Sequence, residues 1–182
     1  MSEPLRKKVE QVLLKVQKPA RYVGGELHQV MKNPDEVDIR FAFCFPDTYE
    51  VGMSHLGMKI LYSSLNANPH IWCERCFMPW LDFEAQMKEQ DIPLYTLESF
   101  TPLSEFDIIG FTLQYELSYT NLLQMLYLGN IPVLAKERSG LKNLVIAGGP
   151  CACNPEPLAD FVDLFCLGEG AVSYTHLTLP TT

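Results

Sequence analysis

Alternating apolar and polar positions in residues 37–66 predict a strand, a polar loop and a helix. In residues 37–45 every second residue is apolar, which is typical of a strand that buries one face. Pro46 has no backbone N–H and ends this predicted strand. From Met53 onward, apolar residues recur at helical spacing: Leu56, Ile60, Leu61 and Leu65. The polar loop at residues 47–52 therefore follows the carboxyl end of a strand, which is where open α/β sheets bind ligands.

Similar patterns predict the remaining elements. Residues 4–18 have the spacing of an amphipathic helix, and residues 20–36 form a polar connector rich in Gly and Pro. Further helices are predicted at 80–90 and 117–128, a helical turn at 155–159, and strands at 71–77, 92–97, 107–113, 143–147 and 161–167. Because helices alternate with apolar strands, we expect an α/β, flavodoxin-like (Rossmann-like) doubly wound parallel sheet of five or six strands, preceded by an N-terminal helical arm.

We expect three segments in the chain. Residues 1–36 are the N-terminal helix and connector, residues 37–170 the α/β domain, and residues 171–182 a tail. A last strand should be followed by a covering helix, but the tail contains Thr-Leu-Pro-Thr-Thr, which cannot form one. The tail resembles translated adaptor or vector sequence, so we expect it to be non-native, His176 included, and the chain to be the front part of a longer protein.

Composition limits the functional classes. The 182 residues are 47% hydrophobic, and a net charge of −8 argues against nonspecific binding to nucleic acid or anionic membranes. No apolar run approaches the roughly 18–20 residues that span a bilayer, and the N-terminus does not have the pattern of a signal peptide. We therefore expect a cytoplasmic protein whose six cysteines are thiols, ligands or packing residues rather than disulfides.

Residues 145–170 contain a motif of glycines, prolines and acidic residues around two predicted strands. It comprises Gly148, Gly149, Pro150, Ala152, Pro155, Glu156, Asp163 and Gly168-Glu169-Gly170. This pattern resembles the cobalamin-binding domain that precedes the catalytic barrel in many radical S-adenosylmethionine (SAM) enzymes. Residues 43–57 and 107–121 resemble one subfamily of uncharacterised proteins, in which a radical SAM domain follows this domain. The resemblance covers nearly all of residues 5–170.

The resemblance implies the front module of a radical SAM (Fe–S oxidoreductase) enzyme with an unknown substrate. Its implied partners are cobalamin, as a small-molecule cofactor, and the protein's own downstream radical SAM domain. The [4Fe–4S] cluster and SAM would bind in that downstream domain, because the three-cysteine Cys-x-x-x-Cys-x-x-Cys loop is absent from this sequence. We therefore expect an intact parent enzyme, but no catalysis by this chain alone.

The resemblance also implies a cofactor site at the carboxyl ends of the strands. Gly148-Gly149 would let the backbone approach a macrocycle or its nucleotide tail, although such a pair can also be only a tight turn. The Thr112 hydroxyl would hydrogen-bond the tail, or the residue would simply pack at a strand end. The predicted cofactor-binding residues are Asp47, Thr48, Tyr49, Glu50, Gly52, Thr112, Gln114, Gly148, Gly149 and Pro150.

Metal ligands are harder to assign. Cobalamin domains that ligate cobalt through histidine carry Asp-x-His-x-x-Gly, but Met53 replaces the Asp before His55 and Gly57 comes one position early. We expect His55 to be an ordinary residue of a first helical turn.

A spacing of three in a strand places Cys73 and Cys76 on opposite faces, which argues against a zinc site. Cys44 and Cys166 are predicted to pack in the core, as is the stripe Tyr115, Tyr119, Leu122, Leu123, Met125 and Leu126.

Two other functions stay open. The domain can be a cofactor-free docking scaffold for the radical SAM barrel or for an RNA or protein partner. It can also be a plain flavodoxin-like domain that holds a flavin or nucleotide. Asp47 and Glu50 place two acids where a phosphate would sit, which makes this last function the weakest of the three.

Overall fold

Five parallel strands form the central sheet of the computed structural model, which describes residues 3–138, 140 and 142–168. The strand order is β2-β1-β3-β4-β5, the order of flavodoxin-like folds, so the predicted fold class is confirmed. The strands are β1 (Ile39–Phe45), β2 (Ile71–Phe77), β3 (Ile108–Thr112), β4 (Leu144–Gly148) and β5 (Leu164–Cys166). Glu169, Gly170 and the tail at 171–182 lie outside the described residues.

Five α-helices accompany the sheet within the described part of the chain. They are α1 (Glu3–Val12), α2 (Tyr49–Ser54), α3 (Leu56–Ala67), α4 (Leu81–Gln90) and α5 (Tyr119–Leu128). The short 3₁₀ turns include Leu13–Lys15, Pro150–Cys153 and Glu156–Leu158. No helix among the described residues is long and apolar enough to cross a membrane.

The two faces of the sheet bury different residues. Phe41, Phe43 and Phe45 of β1 pack with α3 on one face, as the alternation predicted. Ala42 and Cys44 lie in a second cluster, which also contains buried residues of α1, α4 and α5. Strand β1 is therefore buried on both faces from Phe41 onward, as expected for the centre of a parallel sheet.

The N-terminal helix is part of the main core. Leu5, Val9 and Val12 are buried in the same cluster as residues of α4 and the sheet. The helix ends at Val12 and not at Lys18, and a 3₁₀ turn follows it at Leu13–Lys15. The Leu14 side chain in this turn is in solvent. Residues 3–12 therefore pack into the main core beside α4 instead of extending away from the domain.

The prediction of a strand at 92–97 is wrong. Within the described part of the chain, its only ladder contact is an isolated bridge from Tyr95 to Pro102. The outer edge of β2, where a sixth strand would pair, is already occupied. The Asn66 amide bonds both the N–H and the carbonyl of Cys73 at 3.0 Å, and the Glu98 carboxylate accepts the Arg75 N–H at 2.7 Å. The Arg75 carbonyl accepts the Leu97 N–H at 2.9 Å. Two side chains and one backbone N–H thus satisfy these groups, and covering an edge in this way is one means by which proteins protect an edge strand.

The predicted loop at 47–52 also needs correction. Only Pro46, Asp47 and Thr48 separate β1 from α2, so Tyr49, Glu50 and Gly52 are helical. The apolar pattern did not indicate this helix because its buried contacts come mainly from Gly52. A Cβ on Gly52 would lie 2.3 Å from the ring of Phe77.

Candidate functional site

The crevice between the loops after β1 and β3 is bridged by the chain's own side chains. The Asp47 carboxylate accepts a hydrogen bond from the Tyr115 hydroxyl, and its other oxygen accepts the Thr48 N–H at 2.6 Å. On the same side, Asn121 Nδ2 donates to the Pro46 carbonyl at 3.0 Å. Partial burial and the bond to Asp47 raise the pKa of Tyr115 to about 12, so the tyrosine remains the donor.

Tyr115 and Asn121 were not predicted as site residues. Tyr115 was assigned to the apolar stripe of the following helix, but it precedes α5 and its side chain is partly exposed. Its partner Asp47 is 68 positions away in the chain. One sequence feature could have indicated this pair. Asp47 follows the carboxyl end of β1 and Tyr115 follows that of β3, and these two strands are neighbours in the sheet.

A hydroxyl and an amide meet at the end of β3. Thr112 is buried, and its Oγ1 accepts a hydrogen bond from Gln114 Nε2 at 2.7 Å. Thr112 pairs in register with Gly148, the last residue of β4. The structure therefore places these three predicted site residues side by side at the carboxyl ends of β3 and β4.

The chain's own backbone explains why position 149 is a glycine. Gly149 has φ +99°, and a Cβ there would lie 2.7 Å from the Leu113 carbonyl oxygen. Leu113 is fixed in this position, because its N–H donates to the Gly148 carbonyl and its own carbonyl accepts the Cys151 N–H. Pro150 then begins a 3₁₀ turn. The glycine thus allows two loops to pack closely, which agrees with the tight-turn alternative.

Two other predicted site residues, Tyr49 and Glu50, contact the connector at 20–36 and the segment just before it. The Tyr49 hydroxyl donates to Glu26 at 2.5 Å. Glu50 forms ion pairs with Lys18 at 3.1 Å and Arg21 at 2.9 Å. The structure therefore divides the predicted residues into two groups, one at the crevice and one that fastens the N-terminal segment to α2.

His55 caps helix α3. Its Nδ1 accepts the Met58 N–H at 3.2 Å, and its ring lies 5.4 Å from the ring of Phe45. In this arrangement Nδ1 accepts a hydrogen bond, so a neutral His55 imidazole carries its proton on Nε2. The capping hydrogen bond is sufficient to explain why a histidine stands at the start of α3.

Asp163 of the glycine-rich motif supports the fold. Its carboxylate accepts the Val145 N–H at 2.8 Å and pairs with Arg138 at 3.0 Å. It therefore ties the segment before β5 to the start of β4. The motif's aspartate thus has a structural role that the sequence did not specify.

The cysteines do not form one cluster: Cys44 and Cys76 are neighbours across β1 and β2, whereas Cys73 lies on the opposite face of β2. Cys73 and Cys76 lie in different core clusters on opposite faces of β2, as predicted. Cys44 and Cys166 are buried, which confirms their assignment to the core. Among residues 3–138, 140 and 142–168, no three His, Cys, Asp or Glu side chains are grouped so that they can hold a metal ion.

Large apolar side chains are exposed in the segments that follow the strands. We call this set the apolar edge: Leu56, Trp80, Leu81, Tyr115, Leu117 and Leu167. These residues follow β1, β2, β3 and β5, and in a parallel sheet the carboxyl ends of all strands lie on the same side. Leu117 is 87% exposed and Leu81 is 73% exposed. Solvent-exposed apolar clusters of this kind mark surfaces that bind a partner or ligand.

Comparison with known proteins identifies the family of this chain. Residues 57–179 match the family described as radical SAM proteins, N-terminal. An uncharacterized protein of Methanocaldococcus jannaschii is 28% identical over 130 residues, which are 70% of this chain and 23% of that relative. The chain thus spans about a quarter of the length of that relative. By its sequence match and its fold, the chain belongs to the family of N-terminal regions of radical SAM proteins.

Proposed function

We propose that this chain is the N-terminal module of a radical SAM enzyme and that its apolar edge docks on the enzyme's catalytic domain. The family match supports the class of enzyme. In this proposal the downstream domain carries the [4Fe–4S] cluster and SAM and acts on a substrate that is not identified. The module contributes a rigid parallel sheet that presents one surface to that domain.

The single observation behind the docking proposal is the exposure of the apolar edge. Leu81 and Leu117 follow two different strands, and most of each side chain is in solvent. Nearby polar groups bond to one another, as Asp47 does to Tyr115, so the surface offers mainly apolar area. Removing such area from water on docking stabilises a complex by about 25 cal/mol per Å² before the costs of association.

Two separately produced polypeptides would test the docking proposal. One is the present chain and the other is the downstream catalytic domain, and calorimetry measures their association. We expect Leu117→Asp to weaken the association at least 10-fold, because it places a charge in the apolar interface. Tyr127→Asp is the matched control, since Tyr127 is also exposed but lies at the opposite end of α5. Equal affinities for the two variants would contradict the proposal.

Cobalamin binding at the same edge is the second candidate. The Thr112 and Gln114 pair favours it, because a hydroxyl and an amide at the end of β3 can hydrogen-bond a nucleotide tail. When bound, cobalamin would carry a methyl group or tune the radical step. Gly149 does not add support, because the space beside it is occupied by Leu113. A tail that enters the crevice would also have to break the bond between Asp47 and Tyr115.

An anaerobic titration with hydroxocobalamin, followed by absorption, tests this second candidate. Saturable binding of one equivalent, weakened by Gln114→Leu, would support it. The control Gln124→Leu removes an amide that lies within α5 and bonds Glu84 instead of Thr112. The absence of binding by a folded chain would leave the docking function as the account of this domain.

A further inference from the structure

A pocket of about 670 Å³ lies between the connector, helix α3 and strand β2. This volume is within the usual range for small-molecule sites. None of the apolar-edge residues lines it. The connector is fastened over it at Val30, whose N–H donates to the Tyr62 hydroxyl oxygen at 2.7 Å and whose carbonyl accepts Trp72 Nε1 at 3.1 Å. The pocket is therefore a built feature of the fold.

The wall of this pocket includes a buried arginine with unused hydrogen-bonding capacity. The Arg75 side chain is 8% exposed, and its Nε donates to Glu98 Oε1 at 2.6 Å. Its Nη1 contacts the Met53 sulfur at 3.5 Å, and its buried Nη2 has no hydrogen-bond partner among the described residues. The guanidinium also lies 4.4 Å from the Tyr62 ring. A thioether is only a weak acceptor, so one end of the guanidinium is nearly unsatisfied.

Buried charged donors are normally hydrogen-bonded, so this exception calls for a partner. Glu98 occupies Nε, which leaves the end formed by Nη1 and Nη2. Two parallel N–H groups at that end match the two oxygens of a carboxylate. The Met53 side chain is unbranched and flexible, and it can move aside to admit such a group.

We propose that this pocket binds a small monocarboxylate with an apolar body, and that Arg75 takes the carboxylate in place of the Met53 sulfur. The Tyr62 hydroxyl accepts from Val30 and keeps its own proton to donate. Lys59, on an outward-facing position of α3, also lines the pocket and adds a positive charge. Glu26 lines the same pocket and would repel a second carboxylate, so one negative charge is preferred.

The apolar body of the ligand would rest against Val30, Met53 and the Tyr62 ring, which line the pocket together. The proposal does not depend on docking at the apolar edge. It makes the connector a part of a binding site, because Glu26 and Val30 belong to that segment.

The test compares 3-phenylpropionate with 3-phenylpropanamide, two probes of the same shape that differ in charge. Each is titrated into the 182-residue chain, and binding is followed by ligand-observed NMR. We expect saturable 1:1 binding of the acid, at least 10-fold tighter than that of the amide. Equal binding of the two probes, or no binding of the acid, would overturn the proposal.

Two variants locate the site without disturbing the buried ion pair. Ser63 is exposed and lines the pocket, so Ser63→Trp should fill it and reduce acid binding at least 10-fold. Ile60 is exposed on the same helix but does not line the pocket, so Ile60→Trp should leave binding unchanged. Acid binding that survives in Ser63→Trp would place the probe elsewhere and refute the assignment.

A third variant tests whether the carboxylate replaces the Met53 sulfur as the partner of Arg75. Met53→Ala uncovers Nη1 of Arg75 and should tighten acid binding several-fold while leaving amide binding nearly unchanged. Weaker binding of the acid by this variant would contradict the exchange of partners. Leu117→Asp should leave all of these affinities unchanged, which separates this site from the docking surface.

Discussion

The crevice beside β1 and the pocket beside β2 use polar groups in opposite ways. At the crevice, Asp47 and Tyr115 satisfy one another, and the surface around them is apolar and exposed. At the pocket, Val30, Met53 and Tyr62 pack against the core, and a buried guanidinium is left with unused donors. The first arrangement suits a large partner that covers apolar area, and the second suits a small ligand with a charge. Location at the carboxyl ends of strands therefore does not by itself identify a small-molecule site.

The largest expected effect comes from removing the partner of the buried arginine. Glu98→Ala leaves Arg75 as an uncompensated buried charge, which should lower the free energy of unfolding by about 3–5 kcal/mol. Glu50→Ala breaks the partly exposed ion pairs that fasten the N-terminal segment to α2 and should cost no more than about 1 kcal/mol. Urea denaturation of both variants measures the difference. Similar small losses would mean that the pocket is not as rigidly built as described.

The next effect concerns the glycine beside the crevice. Gly149→Ala should cost about 1–3 kcal/mol from its positive φ alone. A further loss should come from the clash with the Leu113 carbonyl oxygen. Gly168→Ala is the matched control, since Gly168 has φ +97° but none of the described atoms around it lies within 4 Å of the position that a Cβ would take. Thermal denaturation that finds the two variants equally stable would remove the backbone explanation for Gly149.

Loss of the hydrogen bond between Asp47 and Tyr115 should lower the free energy of unfolding less than the changes above, but it should clearly change the pKa of Tyr115. Burial, and then the hydrogen bond to Asp47, raise the pKa of Tyr115 from its ordinary 10.0 to about 12. Asp47→Asn removes the carboxylate and should bring this pKa back toward 10. Ultraviolet or NMR titration of the tyrosine measures it. An unchanged pKa would show that the bridge does not hold the two loops together in solution.

The smallest effect is the pH dependence of the Glu50 ion pairs. Burial raises the pKa of Glu50, but hydrogen bonds from Arg21 and Lys18 outweigh it and lower the pKa from 4.5 to about 2. Because the folded-state pKa is lowered, the stabilisation is present above about pH 4.5 and is lost as the pH falls toward 2. NMR titration should find the pKa of Glu50 raised in Arg21→Gln. A value that stays low would contradict this pairing.

Much of the fold was predictable because it follows from local patterns. The alternation in β1 and the apolar run in β3 identified strands whose burial the structure confirms. The run at 92–97 misled because it is apolar and buried, yet it forms no ladder: Leu97 donates one hydrogen bond to Arg75 of β2, while Leu94 bonds Leu128 of α5 and Thr96 bonds Thr101. Apolar periodicity reports burial, and it does not report which backbone groups are paired.

The sites were less predictable because their contacts join distant parts of the chain. Asp47 meets Tyr115 across 68 positions, and Arg75 meets Glu98 across 23. A pattern within one element cannot specify such pairs. The Gly148-Gly149 motif was correctly located at a strand end, but only the position of Leu113 shows why Gly149 must lack a side chain.

Hydrogen exchange of the intact protein is the most direct test of docking at the apolar edge. The exchange of the backbone amides at residues 78–81 and 115–118 is compared between the intact protein and the present chain, with α1 as an internal reference. The docking account predicts at least 10-fold slower exchange of both segments in the intact protein, and no change in α1. Equal exchange in the two proteins would contradict it, because the apolar edge would then remain in solvent.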